Sequence, residues 1–396
     1  MTTTNGNTSS RPVKLLIVDD EPDLEALIVQ KFRKQIRDGR FQFRFASDGT
    51  EALEVLEADR EIELILTDIK MPRMDGLTLL TKLQEMNHPV LKAVIVSAYG
   101  DMDNIRVAMN RGAFDFLTKP IDLRDLETTV EKALRELFAL KESLEAQARL
   151  HAIEHELDIA RKIQQGIVPT IFPAFPGHDE FEVYGKMVAA RHVGGDFYDY
   201  FLLDDRRLGF VIGDVSGKGV PAAIMMAVSR TLLRAVAQQV ETAGECLSRV
   251  NNILRTDNDE NLFVTVFYGV LDIATGRLEY SNGGHNPPYV VSKDGEVRGI
   301  GGPSGIVLGV IEGSQYSTET ISLDHGDVVL LFTDGVTEAM NVEEEFFDDE
   351  RLEAILRGHR GESLNDLFAK VYGEVETFAG SAPQSDDVTV LAVRYR

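Results

Sequence analysis

Residues 62–76 read IELILTDIKMPRMDG, an apolar run that ends at Asp68 and leads into a turn with proline and glycine. Helix-length segments such as 21–37 and 49–58 lie between this run and others like it. The other strand-like runs lie at 13–18, 41–46, 92–97 and 114–119. Continuously apolar runs are typical of parallel strands that are buried on both faces. The pattern predicts a doubly wound α/β domain with a five-stranded parallel sheet.

Polar side chains stand where four of these runs end. Asp19 and Asp20 follow the first run, Asp68 ends the run at 62–68, and Ser97 and Lys119 end two later ones. The carboxyl ends of parallel strands form one crevice, in which ligands bind. Carboxylates that meet there repel each other unless a cation lies between them, and oxygen ligands suit Mg²⁺. The lysine and the hydroxyl are then placed to contact phosphoryl oxygens.

The motifs VDDEP, TDIKMPRMDG, VSAYG and FDFLTKP give residues 12–135 a specific resemblance to the response-regulator receiver domain. The resemblance implies that Asp68 accepts a phosphoryl group from a histidine kinase. It also implies that Asp20 and Asp68 ligate Mg²⁺, with Asp19 helping and the backbone carbonyl of Lys70 as a further ligand.

The same resemblance assigns the remaining receiver residues. Ser97 and Lys119 are expected to bind the acyl phosphate, and Phe116 fills the position of the aromatic switch. Many receivers carry threonine and tyrosine where this chain has Ser97 and Phe116, and both exchanges occur within the family.

A helix without glycine or proline is expected between Ile121 and Gln165, and Pro169 lies beyond its end. Apolar residues recur there at spacings of three and four, which is typical of a coiled-coil seam. The first seam comprises Leu123, Leu126, Val130, Ala133, Leu137, Leu140 and Leu144, and the second Ala146, Leu150, Ile153, Leu157, Ala160, Gln164 and Ile167. The two seams differ in heptad frame, so the register shifts near 144–150. We predict a coiled-coil linker at 136–168 that forms a homodimer; the alternative is one amphipathic helix packed on its own domains.

Beyond residue 180 the sequence becomes rich in strands, with helical stretches at 220–256 and 350–379. This pattern predicts an α+β domain over 169–396, a β-sandwich flanked by helices.

Residues 210–223, FVIGDVSGKGVPAA, look at first like a nucleotide-binding loop. The Walker A spacing is GxxxxGK[ST], but three residues separate Gly213 from Gly217, and Gly219 replaces the hydroxyl residue. Asp214 would also place a carboxylate in the phosphate cradle. A nucleotide loop is therefore rejected.

Aspartates at strand ends or tight turns suggest a different chemistry for this domain. They are Asp196, Asp214, Asp334, Asp386 and Asp387. Carboxylates from distant segments can hold two divalent ions about 3.5–4 Å apart and activate a water for attack on a phosphate ester.

The motifs LDIARKIQQGIVP, GGDFYD, GDVSGKGVPAA, YSNGGHNPP, LFTDGVTEA and SDDVTVLAV resemble the SpoIIE-type branch of the PPM (protein phosphatase 2C-like) serine/threonine phosphatases. The resemblance implies that Asp214 bridges two Mn²⁺ or Mg²⁺ ions and that the Val215 carbonyl ligates one. Asp334 and Asp386 complete the second metal position, and Asp196 supports the site. Asp387 is a further candidate, and His285 is interpreted as structural, with a substrate-contacting role as the alternative.

The composition limits the possible partners. The chain has 65 acidic and 41 basic residues, a formal net charge of −24, which argues against direct nucleic-acid binding. Its single cysteine, Cys246, fits a reducing compartment. No signal sequence or membrane span is recognised, so we expect a cytoplasmic protein with a disordered tail at 1–11.

Together these patterns predict a two-component response regulator in which phosphorylation of Asp68 controls a metal-dependent protein phosphatase. The family resemblance makes the substrate a phosphoserine anti-sigma-factor antagonist. The linker helix, with its two competing registers, is the expected bistable element between the two domains. The alternative function is a non-catalytic adaptor that sequesters a partner, and retention of the acidic residues argues against it.

Overall fold

The computed structural model describes residues 11–86, 88, 90–256, 258, 260–302 and 305–396. The chain divides into two compact units, Met1–Ala152 and Ile153–Arg396. Apart from Arg11, the predicted tail at 1–11 lies outside the described residues.

The first unit contains a five-stranded parallel sheet in the order β2-β1-β3-β4-β5. Its strands are Val13–Val18 (β1), Phe41–Ala46 (β2), Ile62–Asp68 (β3), Lys92–Ala98 (β4) and Asp115–Lys119 (β5). The helices between them are Pro22–Lys31 (α1), Arg33–Arg37 (α2), Gly49–Ala58 (α3), Gly76–Glu85 (α4) and Met102–Asn110 (α5). The predicted doubly wound fold is confirmed. The helix expected over 21–37 is interrupted at Phe32, whose buried ring packs on the rings of Phe41 and Phe43 in β2.

The strand register aligns the ends of β3, β4 and β5. Asp68 pairs with Val96, and Ser97 pairs with Thr118 on the following strand. Asp68, Ser97 and Lys119 therefore reach the same edge of the sheet, as the sequence pattern predicted.

The long helix α6 spans Leu123–Ile167. Its first turns belong to the core of the first unit, where Leu126, Val130 and Ala133 are buried against the sheet. These members of the first predicted seam therefore pack on their own domain, because their apolar face covers the parallel sheet. Residues 142–156 are exposed, including Leu150 and Ile153, whose exposed fractions are 56% and 55%. The predicted coiled coil stays a prediction for the exposed part of the helix.

The second unit is a sandwich of two five-stranded sheets, which confirms the predicted α+β class. One sheet has the order β13-β10-β9-β8-β7 and the other β12-β11-β14-β15-β6. The strands are Phe181–Val188 (β6), Phe197–Leu202 (β7), Arg207–Val215 (β8), Val264–Asp272 (β9), Arg277–Gly283 (β10), Tyr289–Val291 (β11), Val297–Gly299 (β12), Glu319–Ser322 (β13), Val328–Phe332 (β14) and Val388–Tyr395 (β15). An apolar core with Phe210 and Ile212 of one sheet and Leu391 and Val393 of the other lies between them.

Helices cover the outer faces of the sandwich. They are Val220–Ala237 (α7), Ala243–Thr256 (α8), Asp334–Thr337 (α9), Asp348–Arg357 (α10) and Leu364–Ala379 (α11). The first two pack on the β7–β8–β9 sheet, and α10 and α11 pack on the other. Within the described residues, α7 alone is long and apolar enough to span a membrane; in this fold 33% of it is buried, including Met226 and Leu233.

Candidate functional site

The crevice of the first unit brings together the predicted acidic residues. Ligand atoms of Asp19, Asp20 and Asp68 all lie within 4.8 Å of one another. The Lys119 ammonium lies 2.6 Å from an Asp68 oxygen and 2.9 Å from an Asp19 oxygen. Three carboxylates beside one lysine leave an excess of negative charge, which suits a hard divalent cation.

Burial and pairing set the proton affinities in this crevice. Burial raises the pKa of Asp19, although Lys119 and the Glu21 amide oppose the shift. Burial lowers the pKa of Lys119, but its hydrogen bonds to Asp68 and Asp19 outweigh burial and leave the pKa raised. The lysine is therefore charged at neutral pH and positioned beside the Asp68 carboxylate.

Ser97, Phe116 and Lys70 have different surroundings. The Ser97 side chain is buried and its hydroxyl has no hydrogen-bond partner among the described residues. Phe116 is exposed. The Lys70 amide donates to the Asp68 carboxylate over 3.2 Å, whereas its ammonium lies 3.4 Å from Asp101. An unpaired buried hydroxyl is uncommon and fits a group that acquires its partner with a ligand.

In the second unit, the predicted aspartates converge from four segments. Asp196 precedes β7, Asp214 lies near the end of β8, Asp334 begins α9, and Asp386 and Asp387 precede β15. Burial, followed by the nearby Asp214 and Asp387, raises the pKa of Asp196 well above its usual range. The adjacent carboxylates act on each other electrostatically, so these segments form one site.

The same effects act on the other two central aspartates. Burial and the neighbouring Asp334 raise the pKa of Asp214 to about 7. Burial, followed by Asp386 and Glu338, raises the pKa of Asp334. A cation bound among crowded, partly buried carboxylates lowers their pKa values again, because its positive charge favours the ionised form.

The Val215 carbonyl lies against a glycine. A Cβ atom added to Gly195 would lie 2.7 Å from the Val215 carbonyl oxygen and 3.5 Å from a carboxylate oxygen of Asp214. Only glycine leaves space for this oxygen pair. Carboxylate and carbonyl oxygens are the hard donors that Mg²⁺ or Mn²⁺ prefers, so the donor set fits the expected ions.

Asp387 has a different position from the other acids. Its two oxygens accept hydrogen bonds from the backbone amides of Ala190, over 2.9 Å, and Gly195, over 2.8 Å. Asp387 thus holds the loop that carries Asp196. Asp386 is half-exposed and pairs with the Lys218 ammonium at 2.8 Å.

His285 lies behind the aspartates, between two strands. Its Nε2 lies 3.1 Å from the Phe332 carbonyl, and its Nδ1 lies 2.8 Å from the Thr265 hydroxyl. A carbonyl only accepts, so Nε2 carries the proton and Nδ1 accepts from Thr265. Burial lowers the pKa of this ring to about 4, so the imidazole is neutral at pH 7 and links β9 to β14.

Comparisons with known proteins find two matching family models. A family model described as "Stage II sporulation protein E (SpoIIE)" matches residues 204–396, and one described as "Response regulator receiver domain" matches residues 15–131. This chain joins a response-regulator receiver domain to a SpoIIE-type domain.

Individual relatives cover parts of this arrangement. Protein IcfG of Synechocystis sp. is 32% identical over 268 residues, which are 60% of this chain and 41% of IcfG. The phosphoserine phosphatase RsbU of Bacillus subtilis is 26% identical over 61% of this chain and 70% of RsbU. The chain thus spans less than half of IcfG and about two thirds of RsbU.

A solved structure has the fold of the SpoIIE-type domain. The SiaA-PP2C domain of Pseudomonas aeruginosa superposes with a TM-score of 0.56 at 23% identity, covering 63% of this chain and 99% of that one. At 23% sequence identity, this structural similarity shows the fold of the SpoIIE-type domain alone.

Four residues of the second unit were not assigned to the site by the sequence. The hydroxyls of Thr333 and Thr389 both donate to one oxygen of Asp196, over 2.7 and 2.6 Å. Gln164 was expected in the second coiled-coil seam, but its buried side chain hydrogen-bonds both backbone groups of Gly194, so it packs within its own unit. Both threonines lie within quoted motifs, but their partner is 137 and 193 residues away, so the contact has no signal in one sequence.

The fourth residue is the cationic Arg191. It is exposed and follows Ala190, whose amide donates to Asp387. Its guanidinium has no ion pair or hydrogen bond within the described part of the chain. An unpaired arginine is suited to binding a phosphoryl group.

Proposed function

We propose that this chain is a response regulator whose SpoIIE-type domain is a metal-dependent protein serine/threonine phosphatase. The observation that carries the proposal is the convergence of Asp196, Asp214, Asp334 and Asp386, whose carboxylates act on one another. Bound divalent ions would supply an activated water and offset the charge of the phosphate ester.

Each candidate site residue has a distinct role in this proposal. Asp214 would ligate both ions and the Val215 carbonyl one of them, and the two oxygens lie together beside Gly195. Asp334 and Asp386 would complete the second position. Asp196 is held by two threonine hydroxyls, which keep its carboxylate oriented toward the site. Arg191 would contact the phosphoryl oxygens and position the ester.

Two ions are proposed because several segments supply candidate ligands. Asp214, Asp334 and Asp386 come from β8, α9 and the segment before β15. Two ions about 3.5–4 Å apart can share such a set and activate a water between them.

The phosphatase proposal is tested with the full chain and Mn²⁺. We expect Mn²⁺-dependent release of phosphate from a phosphoserine protein, and Asp214→Asn should abolish it while the receiver can still be phosphorylated. Asp294→Asn, at an exposed turn of the same domain, is the matched control. Activity retained in Asp214→Asn would refute the assignment of Asp214.

The receiver is proposed to control this activity. A histidine kinase would phosphorylate Asp68, and the new charge would draw Ser97 toward it and let Phe116 turn inward. We propose that α6, paired as a coiled coil in a homodimer, transmits the change. An Asp68→Ala variant with full activation by a phosphodonor such as acetyl phosphate would overturn the scheme.

The proposed substrate is the phosphoserine form of an anti-sigma-factor antagonist. RsbU is named a phosphoserine phosphatase, which supports the phosphoserine part of the proposal. The antagonist itself is carried over from the family resemblance. Purified antagonists assayed against unrelated phosphoserine proteins would test this choice, and equal rates on both would contradict it. We place these events in the cytoplasm.

A partner-sequestering adaptor is the alternative. It would bind the phosphoprotein with no turnover, and it would not need the acids that this chain retains. Binding to a phosphoprotein that is unaffected by Mn²⁺ and by Asp214→Asn, with no phosphate release, would favour the adaptor.

A further inference from the structure

A cavity of about 190 Å³ lies next to the proposed metal ligands in the SpoIIE-type domain. It is enclosed by the start of α9, the second half of α11 and the segment 380–385 that leads into β15. None of the residues that line it is a proposed metal ligand.

The cavity shares its wall with the segments that carry the metal ligands. Gly335 and Ser385 line it, and each is the chain neighbour of a proposed ligand, Asp334 or Asp386. Consecutive Cα atoms lie about 3.8 Å apart, and an extended peptide advances about 3.3 Å per residue. A residue close to a phosphoserine held at the aspartates therefore comes within reach of the cavity.

The wall is made of both apolar and polar side chains. Ala339, Val375, Ala379 and Val388 supply apolar groups, and Glu376, Gln384 and Ser385 supply polar ones. Met340, which also lines it, has 37% of its side chain exposed. A phosphate group needs none of these side chains, whereas an apolar side chain gains free energy by being buried against them.

The volume suits one side chain. A cavity of about 150 Å³ is large enough to hold a benzene molecule. The present cavity, at about 190 Å³, therefore has room for a leucine, isoleucine or methionine side chain.

We propose that this cavity binds an apolar side chain that flanks the phosphoserine of the protein substrate. It is thus a specificity pocket, and it selects the sequence around the phosphoserine. This inference rests on the proposed phosphatase activity and adds the class of substrate residue that the same site recognises.

The test uses synthetic phosphoserine peptides and the full wild-type chain with Mn²⁺. A single leucine is moved through the three positions on each side of the phosphoserine in an otherwise alanine peptide, and kcat/KM is measured for each. One position should raise kcat/KM about 10-fold or more over the all-alanine peptide, the scale of selection by an apolar pocket. Glutamate at that position should give no gain, and lysine should gain less than leucine although Glu376 also lines the cavity.

A substitution that fills the cavity should remove the preference for the leucine peptide. In Ala379→Phe the ratio of kcat/KM for the leucine peptide to that for the all-alanine peptide should fall toward one. Thr377→Phe, an exposed site on the same helix, should keep the wild-type ratio. Rates are normalised to hydrolysis of 4-nitrophenyl phosphate by the same variant.

The outcomes separate this inference from the proposed function. Hydrolysis of 4-nitrophenyl phosphate with no leucine preference at any position, or with a preference for lysine, overturns the pocket and leaves the phosphatase proposal standing. A wild-type chain with no Mn²⁺-dependent hydrolysis of either kind of substrate overturns both. The peptide comparison in the wild type decides the matter even if Ala379→Phe does not fold.

Discussion

Gln164, near the end of α6, holds both backbone groups of Gly194. Its side-chain nitrogen donates to the Gly194 carbonyl over 2.6 Å, and the Gly194 amide donates to its side-chain oxygen over 3.1 Å. The next residue, Gly195, donates to Asp387, and Asp196 follows. The last turn of the linker helix is therefore attached to the loop that delivers a proposed metal ligand.

Replacing Gln164 with leucine should weaken the metal site. The buried amide and carbonyl of Gly194 would lose their partners, and each unpaired group costs about 1–3 kcal/mol. We expect Mn²⁺ affinity, measured by titration calorimetry, to fall about 10-fold or more. Gln165→Leu, at the exposed neighbouring position, should behave as wild type. Unchanged Mn²⁺ affinity in Gln164→Leu would show that the helix does not support the site.

Removing one of the two threonine hydroxyls that donate to Asp196 should make metal binding more sensitive to pH. In Thr389→Val the carboxylate loses a 2.6 Å hydrogen bond, so its already raised pKa should rise further. Protons then compete better with the ion at low pH, and Mn²⁺ affinity should fall more steeply than in wild type as the pH decreases. The defect should shrink at high pH, where the carboxylate is ionised. Thr320→Val on β13 is the control, and a pH-independent defect would contradict this explanation.

Ser97→Ala should weaken the phosphorylated form of the receiver and leave the unphosphorylated form intact. The Ser97 hydroxyl is buried without a partner, so its removal should leave the unphosphorylated receiver as stable as wild type or slightly more stable. The phosphorylated form should lose a contact and accumulate less with acetyl phosphate. Thermal unfolding and a gel that separates phosphorylated from unphosphorylated chain measure the two effects. A marked loss of stability without phosphodonor would contradict the assignment.

His285 should remain neutral far below the usual pKa of histidine. Its folded-state pKa is lowered to about 4 by burial, against 6.5 for the ordinary group. Because the unfolded chain binds more protons between these values, stability should decrease as the pH falls from about 6.5 to 4. The loss amounts to about 3 kcal/mol. NMR titration of ¹³C-labelled histidines, with His285→Asn for assignment, measures the pKa, and titration near 6.5 would refute the buried, neutral ring.

The exposed part of α6 should determine the oligomeric state. Leu150 and Ile153 are more than half exposed and lie in the second predicted seam. If they pair with a second copy, Leu150→Glu combined with Ile153→Glu should convert a dimer into a monomer in light scattering with size-exclusion chromatography. Gln147→Glu adds charge on the same stretch and should leave the dimer intact. A monomeric wild type would remove the coiled coil from the scheme.

Several assignments could be made from local sequence because strand ends and turns have local signals. Asp68, Ser97 and Lys119 each end an apolar run, and parallel strands place such residues at one edge. Asp214 and Asp334 also follow apolar runs, so they were recognised as members of one site. The two units and the helix between them were visible because their hydrophobic periodicities differ.

The surface that covers the apolar stripe of α6 could not be predicted in the same way. A spacing of three and four describes a helix face, but it does not identify what covers that face. Leu126, Val130 and Ala133 are covered by the sheet of their own domain, whereas Leu150 remains exposed. Only packing separates these two cases.

By itself, the sequence determined the two domain types, the strand ends and the residues proposed to carry their chemistry, because these depend on periodicity and on short motifs. The tertiary structure alone decided which aspartates hydrogen-bond the backbone of another segment and which remain partly exposed as candidate metal ligands. Asp386 and Asp387 are neighbours of the same residue type, yet both oxygens of Asp387 accept from the Ala190 and Gly195 amides, while Asp386 is half-exposed beside Lys218. Hydrogen bonds between segments almost 200 residues apart make that difference, and only the folded chain brings those segments together.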